Sequence, residues 1–115
     1  MDSISLTAVV DEQLARARQS SSGRAAQTIY GGSEHYLRQT VIALVAGHEL
    51  GEHLSPGEAT LQVLEGTVKV NCGSESWEGA VGDFLVVPPG RHSLDAVEDS
   101  AVLLSVRADS RASSG

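Results

Sequence analysis

The stretch "GHELGEHLSPGEATLQVLEG", residues 47–66, decides the fold. It places histidines, carboxylates and glycines immediately before an apolar segment, an arrangement typical of a metal site on a β-strand. In the apolar segment the side chains alternate, which predicts that Ala59, Leu61 and Val63 share one face of a strand. Glycine stands at both ends, and it reaches positive φ without steric cost. The stretch therefore predicts a strand between two turns, with polar donors at its entrance.

The composition indicates one acidic domain. The chain has 115 residues, a formal net charge of -7 and a pI near 4.9, so we expect neither a nucleic-acid partner nor binding to an anionic membrane. No apolar run approaches about eighteen residues and no leader peptide is visible, which predicts a cytoplasmic location. Cys72 is the only cysteine, which excludes an intrachain disulfide and fits a reducing compartment.

The rest of the chain is predicted to form one helix followed by strands. Residues 5–18 contain good helix formers, with Val10, Leu14 and Ala17 spaced to share one face. After a break, short segments rich in Val, Ile, Leu and Thr alternate with Gly, Pro and Asn, which predicts an all-β barrel or sandwich. The predicted strands lie within residues 26–32, 36–47, 59–66, 67–73, 83–90 and 101–108.

Three segments follow from this pattern. Residues 1–24 are predicted to be an N-terminal helix and linker, residues 25–107 a barrel, and residues 108–115, which are small and polar, a disordered tail. Alternation within the strands also predicts the core. The expected buried residues are Leu44, Leu61, Val63, Val68, Val70, Leu85, Val87, Leu103 and Leu104.

The spacing in the opening stretch resembles the first motif of the cupin family, G-(x)5-H-x-H-(x)3,4-E-(x)6-G. Gly47 is followed after five residues by His53, and Gly66 closes the motif at the expected distance. Ser55 stands at the position of the second histidine, and Ala59 stands at the position of the glutamate. The frame of the motif is kept, while two of its donors are replaced.

The second cupin motif, G-(x)5-P-x-G-(x)2-H-(x)3-N, is resembled by "GDFLVVPPGRH". Gly82 opens it, Pro88 and Gly90 match, and His92 comes one place early. The resemblance covers residues 36–106. It implies a cupin-like double-stranded β-helix, which is a jelly-roll barrel, here preceded by a short α-helix.

The resemblance also implies where a metal would bind. In metal-binding cupins the donors of both motifs converge inside the barrel on iron, manganese, zinc or nickel. Here only His53 and His92 occupy donor positions, which is fewer than the three protein ligands of a catalytic zinc. Glu58 is one residue from the glutamate position, and that slip turns its side chain to the other face unless a bulge restores it. We expect either no cofactor or a weakly bound divalent metal.

The other donors have simpler interpretations. His48, Glu49 and Glu52 follow a turn glycine and are predicted to be solvated loop residues. His35 follows "GGSE", another predicted surface turn. Cys72 is in phase with two strand valines, so a small core residue is favoured over a ligand.

A ligand pocket is predicted from the inward positions of both motifs and of strand 36–47. One of Arg38 and Gln39 is expected to face the barrel mouth, where it would either meet an anionic group of a ligand or remain a solvated rim residue. The predicted pocket residues are His53, Ser55, Ala59, Leu61, His92, Arg38 and Gln39.

Three classes of function stay open. The first, which the missing donors favour, is a non-enzymatic small cupin that would bind a small molecule in a barrel whose metal centre has decayed. The second is a metal-dependent cupin enzyme, an oxygenase or isomerase, with a reduced or nonstandard ligand set. The third is a structural or interaction module that acts as a dimer. Whether the chain is an enzyme is left open; the expected partners are a small-molecule ligand and a second copy in a homodimer.

Overall fold

The computed structural model describes residues 1–54 and 57–107, with residues 52–54 described by their backbone. The predicted tail at residues 108–115 and the predicted pocket residue Ser55 lie outside the described residues. Within the two described ranges, one helix precedes nine strands. The elements are α1 Leu6–Gln19, β1 Arg24–Tyr30, β2 Leu37–Leu44, β3 Glu49–Leu54, β4 Ala59–Glu65, β5 Thr67–Cys72, β6 Glu75–Ala80, β7 Phe84–Val86, β8 Arg91–Ala96 and β9 Ser100–Arg107.

The strands form two antiparallel sheets that pack face to face. The first sheet has the order β1-β2-β9-β4-β7, and the second has the order β3-β8-β5-β6. Apart from the pairs β1–β2 and β5–β6, neighbours in each sheet are not consecutive in sequence, as the crossing connections of a jelly roll require. The predicted fold class, an all-β jelly-roll barrel with a short N-terminal helix, is confirmed.

Helix α1 packs on the outer face of the first sheet. Ser5 caps its start, because the Ser5 hydroxyl accepts a hydrogen bond of 3.2 Å from the Ala8 amide. The predicted apolar face is buried, and it covers Val41, Ala43 and Ala101 of β2 and β9. Within the two described ranges no helix is long and apolar enough to cross a membrane.

The space between the two sheets is filled by alternating strand residues. In β4, Ala59, Leu61 and Val63 are buried, whereas the intervening side chains face outward. The predicted core agrees closely with this inner cluster. Leu44, Leu61, Val63, Val68, Val70 and Val87 are buried in it, Leu85 and Leu104 pack against it half-buried, and Leu103 packs beneath α1 on the other face.

Three strands were not predicted. The interpretation of Glu49 and Glu52 as loop residues is wrong, because both belong to β3, although the Glu49 side chain is exposed. Pairing with β8, in which Leu50 stands opposite Leu94, supplies the hydrogen bonds that make this segment a strand. The sequence also does not predict strands β6 and β8, because their local sequence is polar. They too depend on pairing with a neighbouring strand, β5.

The turn between β4 and β5 requires a glycine at position 66, where the sequence predicts a turn. Gly66 has a φ of 76°. A Cβ at this position would collide with the Asp99 carbonyl oxygen and with Ser100. The β8–β9 connection therefore packs directly against this turn and leaves no space for a side chain at position 66.

Candidate functional site

The second sheet brings the donor residues of both motifs into one register row. His53 on β3 pairs with His92 on β8, and His92 also pairs with Cys72 on β5. Every second residue of β8 is buried, namely His92, Leu94 and Ala96. The side chain of His92 therefore belongs to the inner face of the barrel. The two motif histidines therefore stand on paired strands, and a thiol stands on the next strand.

His92 itself is buried, with 6% of its surface exposed. Its Nδ1 atom lies 3.4 Å from the Gly90 carbonyl oxygen. A proton on Nδ1 would donate to this oxygen and would leave the acceptor lone pair on Nε2. The glycine of the second motif thus provides a contact that orients the ring.

The first sheet contributes a second register row at the same end of the barrel. Arg38 on β2 pairs with Val106 on β9, which in turn pairs with Ala59 on β4. Ala59 is only 5% exposed and packs in the inner apolar cluster. Because β3 leads into β4 at this end, we call the end that carries Arg38, Ala59, Cys72 and His92 the barrel mouth.

The structure separates the two polar candidates of β2. Arg38 is an even number of residues from Ile42 and Leu44, which are buried between the sheets. It therefore lies on the same, inner face of β2. Gln39 lies on the opposite face, where its amide donates a hydrogen bond of 3.1 Å to the Ser105 hydroxyl. The placement of Gln39 in the ligand pocket is therefore corrected.

The centre of the barrel is almost filled. Between the sheets there is a cavity of about 20 Å³, which is enough for one water and too small for an organic ligand. Leu61, a predicted pocket residue, is 5% exposed and forms part of its wall. The lining residues are Ile42, Leu50, Leu61, Val70, Val87, His92, Leu94 and Leu104.

A larger cavity opens where the edge strands β6 and β7 leave the two sheets apart. Its volume is about 250 Å³, and we call it the Trp77 cavity. Cys72 faces it half-buried, with Sγ 3.9 Å from the Pro89 carbonyl oxygen, so this thiol is more exposed than a core residue. The lining residues are Val70, Cys72, Glu75, Ser76, Trp77, Leu85, Val86 and Pro88.

The sequence contains one signal for this cavity, and it lies outside both cupin motifs. Trp77 is the only tryptophan, and it lies in the polar segment "ESWEGA". A large aromatic residue in such a segment is typical of a partly buried position. The structure places it on β6, paired with Val70.

A family model described as a cupin domain matches residues 40–106. The chain belongs to the cupin family. A comparison with curated proteins gave no match. Among solved structures, this cupin is 31% identical to a conserved Streptococcus pyogenes protein of unknown function, with 77% of each chain covered and a TM-score of 0.68.

Two enzymes also resemble this cupin in structure. Salicylate 1,2-dioxygenase from Pseudoaminobacter salicylatoxidans is 23% identical, with 87% of this chain and 32% of that chain covered and a TM-score of 0.75. The DMSP lyase DddQ from Ruegeria pomeroyi is 21% identical, with 75% and 47% covered and a TM-score of 0.65. At these identities the comparisons show a shared fold.

The donors in this cupin do not fit the metal of metal-binding cupins. Ala59 replaces the carboxylate with a methyl group inside an apolar cluster, and Glu58 is exposed to solvent. His35 and His48 are also exposed. Among the side chains that the structure describes, no three histidine, cysteine, aspartate or glutamate residues lie close enough to hold one metal ion. We therefore assign no chemical step to a metal.

Proposed function

We propose that this cupin is a non-enzymatic protein that binds a small molecule in the Trp77 cavity without using a metal. The observation that carries the proposal is the cavity itself. Its volume of about 250 Å³ is below the roughly 300–1,000 Å³ typical of sites for drug-sized ligands. A ligand with about one ring fits, whereas the centre of the barrel has no room for it.

The lining indicates what kind of molecule would bind. Val70, Leu85 and Trp77 form apolar walls, and the indole ring offers a flat surface for stacking. Glu75 and Ser76 add polar atoms to the lining and can hydrogen-bond a donor group of the ligand. Because Glu75 would repel an anion, a neutral compound that combines a ring with a hydroxyl or amine is favoured here.

A binding role without catalysis agrees with the donor set. A metal-dependent oxygenase or isomerase would need water or substrate to complete a coordination begun by His53 and His92, and Ala59 offers no third protein ligand. Binding that requires an added metal ion would support this second class of function.

The experiment uses the single tryptophan as its probe. Phenol, followed by other neutral single-ring compounds, is titrated into the protein in the presence of EDTA while tryptophan fluorescence is recorded. We expect a saturable change for the wild type. It should be lost in Cys72→Phe, which fills the cavity, and kept in Lys69→Phe, which adds the same ring to the outer face of β5.

Two results would contradict the proposal. If none of the compounds changes the fluorescence, the cavity is not a binding site for this class. If binding requires added iron, manganese, zinc or nickel and disappears with EDTA, the metal-dependent class is supported instead.

A further inference from the structure

Arg38 is half-buried, and one N–H of its guanidinium is enclosed without an acceptor among the described residues. Its Nε atom is buried and has no hydrogen-bond partner within the described part of the chain. The ion pairs within residues 1–54 and 57–107 use other arginines, Arg16 with Glu12 and Arg18 with Asp99. A buried N–H of a charged group is unfavourable unless an acceptor satisfies it, so the position calls for an acceptor that the described residues do not supply.

The side chain of Arg38 is held in place by the connection that follows β1. Gly31 has a φ of +115°, and a Cβ there would lie 2.9 Å from Cγ of Arg38 and 2.8 Å from the Leu37 carbonyl oxygen. A residue with a side chain would therefore displace the stem of Arg38. A positioned guanidinium loses less entropy when it binds a ligand than a mobile one does.

The row that contains Arg38 has no negative charge of its own. Its paired neighbours across the first sheet are Val106 and, beyond it, Ala59. A glutamate at position 59 would place a carboxylate in this row, whereas the alanine leaves the guanidinium as the charged group among these three residues. The local charge therefore favours an anion.

A groove that begins at Thr40, two residues from Arg38 on the same face of β2, indicates what the anion is attached to. It measures about 300 Å³ and runs between β1, β2 and β3, at the edge of the first sheet away from the Trp77 cavity. Thr40, the next inner residue after Arg38, lines it, and Ile42 and Leu50 give it an apolar surface. The lining residues are Ser22, Arg24, Ala25, Ala26, Thr40, Ile42 and Leu50.

We propose that Arg38 is a binding site for a small organic carboxylate, whose apolar body lies in the groove beside Thr40, Ile42 and Leu50. A guanidinium binds a carboxylate through two parallel hydrogen bonds, and one of them would satisfy Nε. The apolar surface favours an organic acid over an inorganic anion. This site is separate from the Trp77 cavity, so it stands or fails independently of the function proposed above.

Benzoate is a suitable probe, because it combines a carboxylate with an apolar ring, and benzamide is its neutral analogue. Binding is measured by isothermal titration calorimetry in the presence of EDTA. We expect benzoate to bind the wild type and to bind Arg38→Met at least about tenfold more weakly, since a charge-assisted contact is lost. Benzamide should bind both proteins equally weakly. The control Arg16→Met removes an exposed arginine and should leave benzoate binding unchanged.

A second measurement does not depend on any ligand. Because the unpaired Nε is unfavourable in the ligand-free protein, Arg38→Met should melt at the same temperature or higher, whereas a purely structural arginine would give a lower melting temperature. If Arg38→Met fails to fold or melts lower, the group has a partner that stabilises the fold and the proposal is wrong. Equal benzoate affinity in Arg38→Met and the wild type, or equal affinity of the wild type for benzamide and benzoate, would also overturn it. Cys72→Phe should still bind benzoate, which separates this site from the Trp77 cavity.

Discussion

Position 59 is one of two positions at which this chain departs from the donor pattern of metal-binding cupins, and there a methyl group replaces a carboxylate. Ala59 packs in the inner cluster, and its carbonyl oxygen accepts a hydrogen bond of 2.9 Å from the Val87 amide. The backbone at position 59 thus makes a strand hydrogen bond, while its side chain contributes apolar contacts instead of a negative charge. A carboxylate at this position would be buried, and it would need a cation to balance it.

Restoring the motif should therefore exchange stability for metal affinity. In EDTA, the double variant Ser55→His with Ala59→Glu should be less stable than the wild type by about 3 kcal/mol, because the new carboxylate is buried without a partner. Added zinc should restore its melting temperature, since the resemblance predicts coordination with His53 and His92. Ala59→Leu, which adds bulk without charge, should not respond to zinc. Melting curves with and without zinc test this prediction. A double variant whose melting temperature does not change with zinc would contradict it.

At the scale of the elements, strands rich in β-branched residues could be predicted and polar strands could not. "TVKV" and "AVLLSV" are apolar enough to identify by themselves, whereas β6, "ESWEGA", and β8, "RHSLDA", contain few such residues. They form strands because the neighbouring strand β5 supplies hydrogen bonds to both, and because Leu94 and Trp77 reach the inner cluster. Pairing across long sequence distances is not encoded in the local sequence.

The same limit applies to the site. The motif spacing predicted that His92 and Ala59 face inward, because alternation along a strand is a local property. The Trp77 cavity could not be predicted, since it depends on how far the edge strands β6 and β7 separate. The separation of Arg38 from Gln39 needed the register of β2 with β9, which places only the arginine on the inner face.

Asp99 connects the helix to two turns, and it provides a test of this arrangement by pH. Its carboxylate accepts hydrogen bonds of 2.9 Å from the Ala46 amide and from Nε of Arg18. The Ala46 amide and then the Arg18 guanidinium hold the pKa of the Asp99 carboxyl below its ordinary value of 3.8. A lowered folded pKa stabilises the protein above the ordinary value, and this contribution is lost as the pH falls through the folded pKa.

We therefore expect Asp99→Asn to lower the urea midpoint at about pH 6 and to have a smaller effect at about pH 2.5. The asparagine can still accept from the Ala46 amide, but it cannot pair ionically with Arg18. Asp11→Asn, which changes an exposed acid on α1, serves as the control for a general change in charge. Equal differences from the wild type at both pH values would show that the ionisation of Asp99 does not contribute to folding.

At the scale of the whole molecule, an apolar patch is exposed on the outer face of the first sheet. Phe84 and Val86 of the edge strand β7 are 60% and 68% exposed, while Leu85 between them packs inward. Val81 lies just before this strand and is 64% exposed. Adjacent exposed apolar side chains are typical of a contact surface, and the net charge of -7 would keep two copies apart unless such a surface joined them.

We accordingly predict a homodimer in which β7 of each copy contributes to the contact. Light scattering at micromolar concentration and moderate salt should give twice the 12.0 kDa mass of the chain. The double variant Phe84→Glu with Val86→Glu should give the monomer mass, because burying four carboxylates per dimer would cost more than the apolar contact contributes. Val97→Glu is the matched control, since Val97 is 53% exposed on the β8–β9 connection, away from β7, and this variant should remain a dimer. A wild-type protein of monomer mass would reject the homodimer, whereas a dimer that survives the double substitution would assign the contact to another surface, such as the free edge of β1.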